Sequence, residues 1–292
     1  MLGPMRMVTS DPFGLFQLER PFPEQTPVVV YPPVVKLLQF PAATGDISGG
    51  DAQRRRTHYI TTNAAGVRDY ASGDSFNRIH WRSTARKGRL IVKEFELDPL
   101  SDVWIVLDAD RTAHPRDRSS DQGTVTAHNE PAIPEERATT EEYAVTIAAS
   151  LAQHFIEQNR AVGFSTHTDH HHLIQPDRGI RQLTKILETL AMLQAASTIT
   201  FDQLLALEAN TLQQGTTVIT ITPSTRETWV QAVESQARHG IHTISVLLDA
   251  ESFGGRPGAS LIAGKLRAAG APVYRVRKGD RISVALSQPV VV

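Results

Sequence analysis

From residue 102 onward, hydrophobic positions follow two patterns that alternate along the chain. Continuous apolar runs, of which residues 103–107 before Asp108 are the clearest, are typical of strands buried on both faces of a parallel sheet. Elsewhere an apolar residue recurs at every fourth position, as from Tyr143 to Phe155, which predicts one buried face of a helix. Thr139 and Glu142 have the spacing of a capping box at the start of that helix.

Together these patterns predict an ordered succession of strands and helices. Strands are expected at 103–108, 161–165, 217–222, 244–249 and 273–276, helices at 143–155, 180–190, 201–212, 225–239 and 260–269, and a hairpin turn at 167–172. Regular alternation of strands and helices predicts an α/β fold with a doubly wound, mostly parallel sheet.

The chain before this domain has a different character, and we predict three parts: 1–45, 46–100 and 101–292. Residues 1–45 hold two β-like runs, 10–16 and 28–31, among prolines that exclude a long helix. Residues 111–140 form a polar stretch without periodicity, which predicts a loop that is either functional or disordered, and the sequence favours disorder. That loop leaves the carboxyl end of the first domain strand, where sheets of this kind bind ligands.

No other stretch is as dense in specific residue types as residues 68–96, which we call the signature segment. Gly73 and Asp74 predict a turn, in which Asp74 would cap a short helical run at 75–81. Residues 90–92 begin a predicted strand. Basic residues stand at 78, 82, 86, 87, 89 and 93, and acidic residues at 69, 74, 94 and 96.

Two interpretations of the signature segment remain open. In the first it is a structural clasp, in which arginines pair with carboxylates or carbonyl oxygens and Trp81 fills a groove. In the second it is a surface for a ligand or a partner, since arginine and tryptophan are enriched at interface hot spots.

The segment resembles the bacterial domain of unknown function 58 family without a gap. The matching positions are Arg68, Tyr70, Gly73, Asp74, Arg78, Ile79, Trp81, Ala85, Arg86, Leu90, Lys93, Glu94 and Phe95. The resemblance implies a von Willebrand factor A-like domain directly downstream, and it implies no particular reaction. Typical relatives carry two membrane-spanning helices and a β-sandwich before the signature. The runs at 10–16 and 28–31 are therefore expected to be the last sandwich strands of a start that is either truncated or genuinely short.

Composition excludes several classes of site. The chain has no cysteine, which removes disulfides, thiolate metal sites and cysteine nucleophiles. The formal net charge of -1 gives no overall attraction to nucleic acid or anionic lipid. No apolar run approaches the roughly 20 residues of a membrane span, so the chain as written is expected to be cytoplasmic, although relatives are usually membrane-anchored.

Asp108, Asp110 and Thr112 stand where von Willebrand factor A domains carry a metal-ion-dependent adhesion site. The resemblance implies oxygen ligands for Mg²⁺ at this strand end. The later loop, however, has Pro223 and Ser224 where the family's site requires an aspartate. We therefore expect a degenerate metal site and no bound cofactor, with Mg²⁺ as the ion it would take.

Two further motifs look like known sites. The histidine-rich run 167–172 looks metal-binding, but neighbouring side chains on a hairpin point to opposite faces and cannot all converge. Adventitious metal binding is the expected property. Residues 258–266 imitate a phosphate-binding loop but have the wrong glycine spacing and lie in a predicted helix, so we reject that interpretation.

The sequence favours a non-catalytic protein-interaction module that docks through the strand-end face and the signature segment. The family resemblance implies a MoxR-type AAA+ ATPase as the partner, in assembly or maturation of other proteins. The alternative is a nucleic-acid or phosphate binder that uses the basic run at 78–93, with Trp81 as a stacking platform. An enzyme with an unrecognised site is the third hypothesis.

Overall fold

An antiparallel hairpin begins the described part of the chain and stands apart from the other sheets. The structure is a computed structural model that describes residues 5–13, 15–23, 29–37, 40, 60–71, 79–97, 102–115, 133 and 138–290. The hairpin strands are β1 (Met5–Ser10) and β2 (Gln17–Phe22), and every one of their residues is exposed. Asp11 organises the connection, because its carboxylate accepts hydrogen bonds from the backbone N–H groups of Phe13 and Phe16 at 3.1 and 2.7 Å.

A second antiparallel pair contains the signature segment. Strand β3 (Ile60–Asp69) pairs with β4 (Ile91–Leu97), and the short helix α1 (Trp81–Lys87) lies between them in the sequence.

The third sheet has six strands and forms the centre of the α/β domain. Its strands are β5 (Val103–Leu107), β6 (Val162–His167), β7 (His171–Asp177), β8 (Thr217–Thr222), β9 (His242–Leu248) and β10 (Val273–Val276). Their spatial order is β10-β9-β8-β5-β6-β7. All neighbours are parallel except β7, which returns antiparallel to β6. Because β5 and β8 are neighbours, the residues that follow each of them meet at one edge.

Helices cover this sheet. They are α2 (Thr140–Glu157), α3 (Ile180–Ala191), α4 (Phe201–Glu208), α5 (Thr228–Arg238), α6 (Ala259–Ala268) and α7 (Ile282–Ala285), with a 3-10 helix at Ala250–Phe253. The hydroxyl of Thr139 accepts a hydrogen bond from the backbone N–H of Glu142, so Thr139 caps α2 as its spacing predicts.

Strand β5 shows how one sequence serves two hydrophobic cores. Val103, Ile105 and Leu107 face a core shared with α2 and α3, whereas Trp104 and Val106 face a core shared with α4, α5 and α6. A run with both faces buried must be apolar throughout, which explains the unbroken pattern in the sequence. On β6, Gly163 leaves room for the Trp104 ring, because a Cβ there would lie 2.8 Å from it.

A segment from the N-terminal part of the chain completes the first core. Val35, Leu37 and Phe40 are buried in it, and the Phe40 ring lies 5.0 Å from that of Tyr274. The hydroxyl of Ser150 on α2 accepts a hydrogen bond from the backbone N–H of Val35 at 2.9 Å. This packing is not among the predictions from the sequence, because the apolar run at 34–40 is short and lies between prolines.

The structure confirms the predicted α/β class and mostly parallel sheet, and it corrects the N-terminal strand positions. Of the expected strand at 10–16, Ser10 ends β1, whereas the described residues 11–13, 15 and 16 connect β1 to β2. The described residues 29–31 are not in a strand. The β-sandwich stays a prediction. Of the loop predicted at 111–140, residues 116–132 and 134–137 lie outside the described residues. Within the described ranges, none of the helices has the length and apolar character needed to cross a membrane.

Candidate functional site

The carboxyl end of β5 carries a buried carboxylate that joins two strands. Asp108 directly follows β5 and is 2% exposed. Its Oδ1 accepts a hydrogen bond from the backbone N–H of Asp110 at 2.9 Å. Its Oδ2 accepts one from the hydroxyl of Thr222, the last residue of β8, at 2.5 Å. Both carboxylate oxygens therefore form hydrogen bonds within the protein.

Asp110 and Thr112 form a second small network beside the first. Asp110 Oδ1 accepts hydrogen bonds from the backbone N–H and the hydroxyl of Thr112, both at 2.8 Å. The backbone of Asp110 also forms an isolated parallel β-bridge with Ser197. The structure thus connects Asp108, Asp110 and Thr112 through hydrogen bonds.

Arg226 supplies positive charge to this edge. One guanidinium nitrogen, Nη2, donates to Thr112 Oγ1 at 3.1 Å, and Nη1 lies 3.9 Å from Asp110 Oδ2. The side chain is 49% exposed, so the charge also faces solvent. Sequence reasoning missed Arg226, because nothing local indicates that the loop after β8 returns to the loop after β5.

Burial dominates the electrostatics of Asp108 and its neighbour His114. Loss of hydration raises the pKa of the Asp108 carboxyl to about 7, against the lowering effect of the Thr222 hydroxyl. Burial also lowers the pKa of His114. His114 Nε2 lies 2.9 Å from the Asp108 carbonyl oxygen, which can only accept, so this nitrogen carries the hydrogen. Nδ1 then accepts from the Thr140 hydroxyl at 2.9 Å, and a neutral ring links β5 to α2.

This donor set does not fit a resident Mg²⁺ ion. Such an ion needs oxygen ligands whose lone pairs point at one centre. Here the Asp108 oxygens and Asp110 Oδ1 accept hydrogen bonds from the protein itself, and the Arg226 cation lies against Thr112. An arginine beside the acidic cluster repels a divalent cation, so the protein neutralises this edge with its own side chain.

A similar acid-arginine arrangement follows β9. Asp249 is 4% exposed, and its Oδ2 lies 2.6 Å from Arg275 Nη2 and 3.3 Å from Arg277 Nε. The sequence offered a signal for this carboxylate, since 244–249 also ends an apolar run with aspartate. It gave none for the arginines that pair with it.

Helix α1 presents an aromatic and basic surface rather than a buried clasp. The Trp81 side chain is 67% exposed, and Arg82, Arg86 and Lys87 are also exposed. The prediction that Trp81 fills a groove is therefore wrong. The reason lies in helix phase: Ser83 and Thr84 occupy the half-buried side of α1, which leaves Trp81, Ala85 and Arg86 facing outward.

The backbone on either side of α1 does form a clasp. Ile79 forms an antiparallel bridge with Val92, and the His80 N–H donates to the Ile91 carbonyl oxygen at 2.8 Å. The Ile91 N–H in turn donates to the Thr84 hydroxyl at 3.0 Å. Ile79, Ile91 and Val92 are buried, so α1 rests on a fixed base.

His80 and Gly88 define the ends of α1. The His80 ring accepts a hydrogen bond from the backbone N–H of Ser83. Gly88 adopts φ 66°, a left-handed conformation that glycine tolerates and that ends the helix.

The other residues of the signature segment differ in their contacts and exposure. Arg89 pairs with Asp69 at 3.0 Å, as the clasp interpretation predicts, on an exposed surface where such pairs contribute little. The Tyr70 N–H donates to the carbonyl of Leu90, whose side chain is 39% exposed. Gly73, Asp74 and Arg78 lie outside the described residues, as do the side chains of Arg68, Lys93, Glu94 and Phe95.

The structure also shows where the other two motifs lie, the segment 258–266 and the histidine-rich run 167–172. Gly258 precedes α6, and Gly264 and Lys265 lie within it, so the segment lies in a helix as predicted. The histidine-rich run spans the turn between β6 and β7, as predicted.

Comparison with known proteins identifies a family but adds little on structure. The family model described as "Protein of unknown function DUF58" matches residues 66–252, more than half of the chain. No curated protein matched the chain.

Among solved structures, the pilus adhesin SpaC from Lactobacillus rhamnosus GG is similar in two crystal structures. Its open conformation has 8% identity and a TM-score of 0.38, covering 64% of this chain and 28% of the adhesin chain. A second form has 10% identity and a TM-score of 0.40, covering 96% of this chain and 41% of the adhesin chain. This chain thus spans less than half the length of the adhesin structures, and a similarity this weak carries no functional argument.

Proposed function

This chain belongs to the DUF58 family, and we propose that it acts as a non-catalytic protein-interaction module. The observation that carries the proposal is the exposure of Trp81, at 67%, on a helix whose outer face is basic. Tryptophan and arginine are the residues most enriched at interface hot spots. An exposed tryptophan on a fixed base loses little conformational entropy when a partner covers it.

Backbone contacts hold the base of α1 in place. The bridge between Ile79 and Val92 and the hydrogen bond from Ile91 to Thr84 fix the helix on both sides. The platform consists of Trp81, Arg82, Arg86 and Lys87, and we call it the α1 platform. A partner that fits it has a shallow apolar pocket for the indole and carboxylates for the basic side chains.

We further propose that residues 101–292 form a von Willebrand factor A-like domain. The doubly wound sheet and the acidic end of β5 support this assignment. In this interpretation the strand-end face, with Arg226 in place of a metal ion, is a second docking surface. A MoxR-type AAA+ ATPase, expected from the family resemblance, is the proposed partner, and the joint role would be assembly or maturation of other proteins.

The nucleic-acid alternative is favoured by the same platform. Trp81 could stack on a base while Arg82 and Arg86 contact phosphates. Against it, the chain has a formal net charge of -1, and Asp69 neutralises Arg89.

The test is direct binding between the purified chain and the purified MoxR-type ATPase of the same organism, with and without ATP. We expect Trp81→Ala and Arg82→Ala/Arg86→Ala each to weaken binding at least tenfold, because hot-spot truncations cost about 2 kcal/mol or more. Arg238→Ala is the matched control, since Arg238 is exposed near the end of α5, outside the α1 platform. Equal affinity of the wild type and the Trp81 variant would remove the α1 platform from the interface.

A further inference from the structure

The turn between β6 and β7 gathers three side chains that can bind a metal ion. Asp169, His170 and His172 each offer a ligand atom, and these atoms all lie within 4.8 Å of one another. Asp169 Oδ1 is 2.7 Å from His170 Nδ1, and the rings of His170 and His172 are 3.9 Å apart. Three potential ligands thus meet at one point of the surface.

The other histidines of the run are directed elsewhere, as strand geometry requires. His167 and His171 pair across the hairpin, so their side chains share one face of the sheet. His167 Nδ1 lies 3.1 Å from Ser197 Oγ, and His171 Nε2 contacts Glu208 at 2.6 Å. The expectation that the histidines cannot all converge is correct, and the structure shows which subset does.

A threonine hydroxyl orients this subset. Thr168 Oγ1 donates to Asp169 Oδ1 at 2.7 Å and lies 3.1 Å from His172 Nε2. This contact connects the carboxylate and the half-buried imidazole through one hydroxyl, so their positions depend on each other. Partners of this kind commonly fix the orientation of metal ligands.

We propose that Asp169, His170 and His172 form a binding site for a divalent transition-metal ion of the zinc class. Two imidazoles with one carboxylate suit Zn²⁺, Ni²⁺ or Cu²⁺, whereas Mg²⁺ and Ca²⁺ prefer oxygen ligands alone. In zinc sites the ligand atoms lie about 2.0–2.2 Å from the ion, and here the three candidate ligand atoms all lie within 4.8 Å of one another. Three protein ligands leave further coordination positions open to water or to a ligand from another molecule.

The site is separate from the Asp108 network, although both lie at the carboxyl edge of the sheet. Ser197 lies between them, because it bridges to Asp110 through its backbone and contacts His167 through its hydroxyl. The side chains of Asp169 and His170 are 79% and 64% exposed, so an ion can enter from solvent without rearrangement of the core.

The experiment is a calorimetric titration of tag-free, chelator-treated full chain with zinc chloride alone. We expect saturable binding of one equivalent, and at least tenfold weaker binding in His170→Gln and in His172→Gln. His242→Gln is the matched control, because it removes an exposed imidazole from the start of β9, at the opposite edge of the sheet. Its affinity is expected to equal that of the wild type.

A separate readout distinguishes the site from a folding defect. Far-ultraviolet circular dichroism of the two histidine variants should match the wild type, since both side chains lie on the hairpin surface. Equal zinc affinity in the wild type and both variants would overturn the proposal. Unsaturable binding, or binding lost equally in His242→Gln, would do the same.

Discussion

Thr222 donates a hydrogen bond of 2.5 Å to the buried carboxylate of Asp108, although 114 positions separate the two residues in the chain. The contact exists because β5 and β8 are parallel neighbours whose carboxyl ends meet. The Thr222 oxygen also accepts from the backbone N–H of Ser224 at 2.8 Å, which orders the loop that follows β8. Arg226, in the same loop, then reaches the network around Asp110.

Replacement of Asp108 by asparagine should change how stability depends on pH. The folded protein holds the Asp108 proton up to a pKa of about 7, whereas an unfolded aspartate releases it near 3.9. Its contribution to stability is therefore fully present below the unfolded value and lost as pH rises through the folded value. Relative to Asp108→Asn, the wild type should lose about 2–3 kcal/mol between pH 5 and pH 8.

Urea unfolding of both proteins at several pH values measures this difference. His114, whose own pKa is lowered, is present in both proteins, so its titration largely cancels in the comparison. Parallel stability curves for the wild type and the variant would show that Asp108 ionises normally.

Millimolar Mg²⁺ should leave the melting temperature unchanged. The carboxylates at the end of β5 already accept internal hydrogen bonds, and Arg226 supplies positive charge beside Thr112. A bound ion at 100 times its dissociation constant would instead add about 2.7 kcal/mol of stability. Differential scanning fluorimetry with a magnesium series checks this, and a rise in melting temperature that disappears in Asp108→Ala would contradict it.

Trp81→Ala should fold as stably as the wild type. The indole is 67% exposed, and surface substitutions usually change the free energy of unfolding by about 0.5 kcal/mol or less. Trp229→Ala is the matched comparison, because Trp229 is fully buried and its truncation should cost about 3–5 kcal/mol. Denaturant melts of both variants measure the free energy of unfolding. A comparable loss of stability in Trp81→Ala and Trp229→Ala would restore the clasp interpretation for Trp81.

Oligonucleotides should bind weakly and without steep salt dependence. A site that contacts phosphates would lose affinity with a logarithmic slope of about 0.9 per phosphate. Fluorescence polarisation with single- and double-stranded probes at low salt tests this. Micromolar affinity that collapses as salt rises, and that is absent in Arg82→Ala/Arg86→Ala, would favour the nucleic-acid alternative.

His171→Ala should destabilise the fold through Glu208. Glu208 is 0% exposed, and its Oε1 contacts His171 Nε2 at 2.6 Å and accepts from the Ser165 hydroxyl at 2.8 Å. Removing the partner of a buried polar group costs about 1–3 kcal/mol, and we expect the upper part of that range. Addition of Glu208→Gln should recover part of the loss, because an amide is easier to bury than a carboxyl group that has lost its imidazole partner.

His170→Ala is the control for this prediction. It removes the neighbouring imidazole, which is 64% exposed at the side chain and makes no contact with Glu208 in the described part of the chain. In urea melts, the free energy of unfolding of this variant should be close to that of the wild type. If His171→Ala and His170→Ala both had the same free energy of unfolding as the wild type, the contact between His171 and Glu208 would contribute nothing to the fold.

Most strands and helices of the α/β domain follow from local patterns, although β7 and α7 are not among the predicted elements. An unbroken apolar run such as residues 103–107 must be buried on both faces, and a spacing of four must form a helical stripe. The Thr139 cap also depends on neighbours a few residues away. The carboxylate at the end of β5 is predictable for the same reason, since Asp108 directly follows such a run and Asp110 stands two residues later.

Tertiary structure decided which groups meet and which face outward. Arg226 joins Asp110 only because β8 lies beside β5, and no local pattern encodes that neighbour. The exposure of Trp81 depends on where α1 begins and on which of its sides rests on Ile91. Backbone periodicity is set by residues close in sequence, whereas contacts, burial and pKa depend on atoms brought near by chain packing. The sequence therefore determined most elements of the α/β domain, and the packing decided which groups meet at their ends.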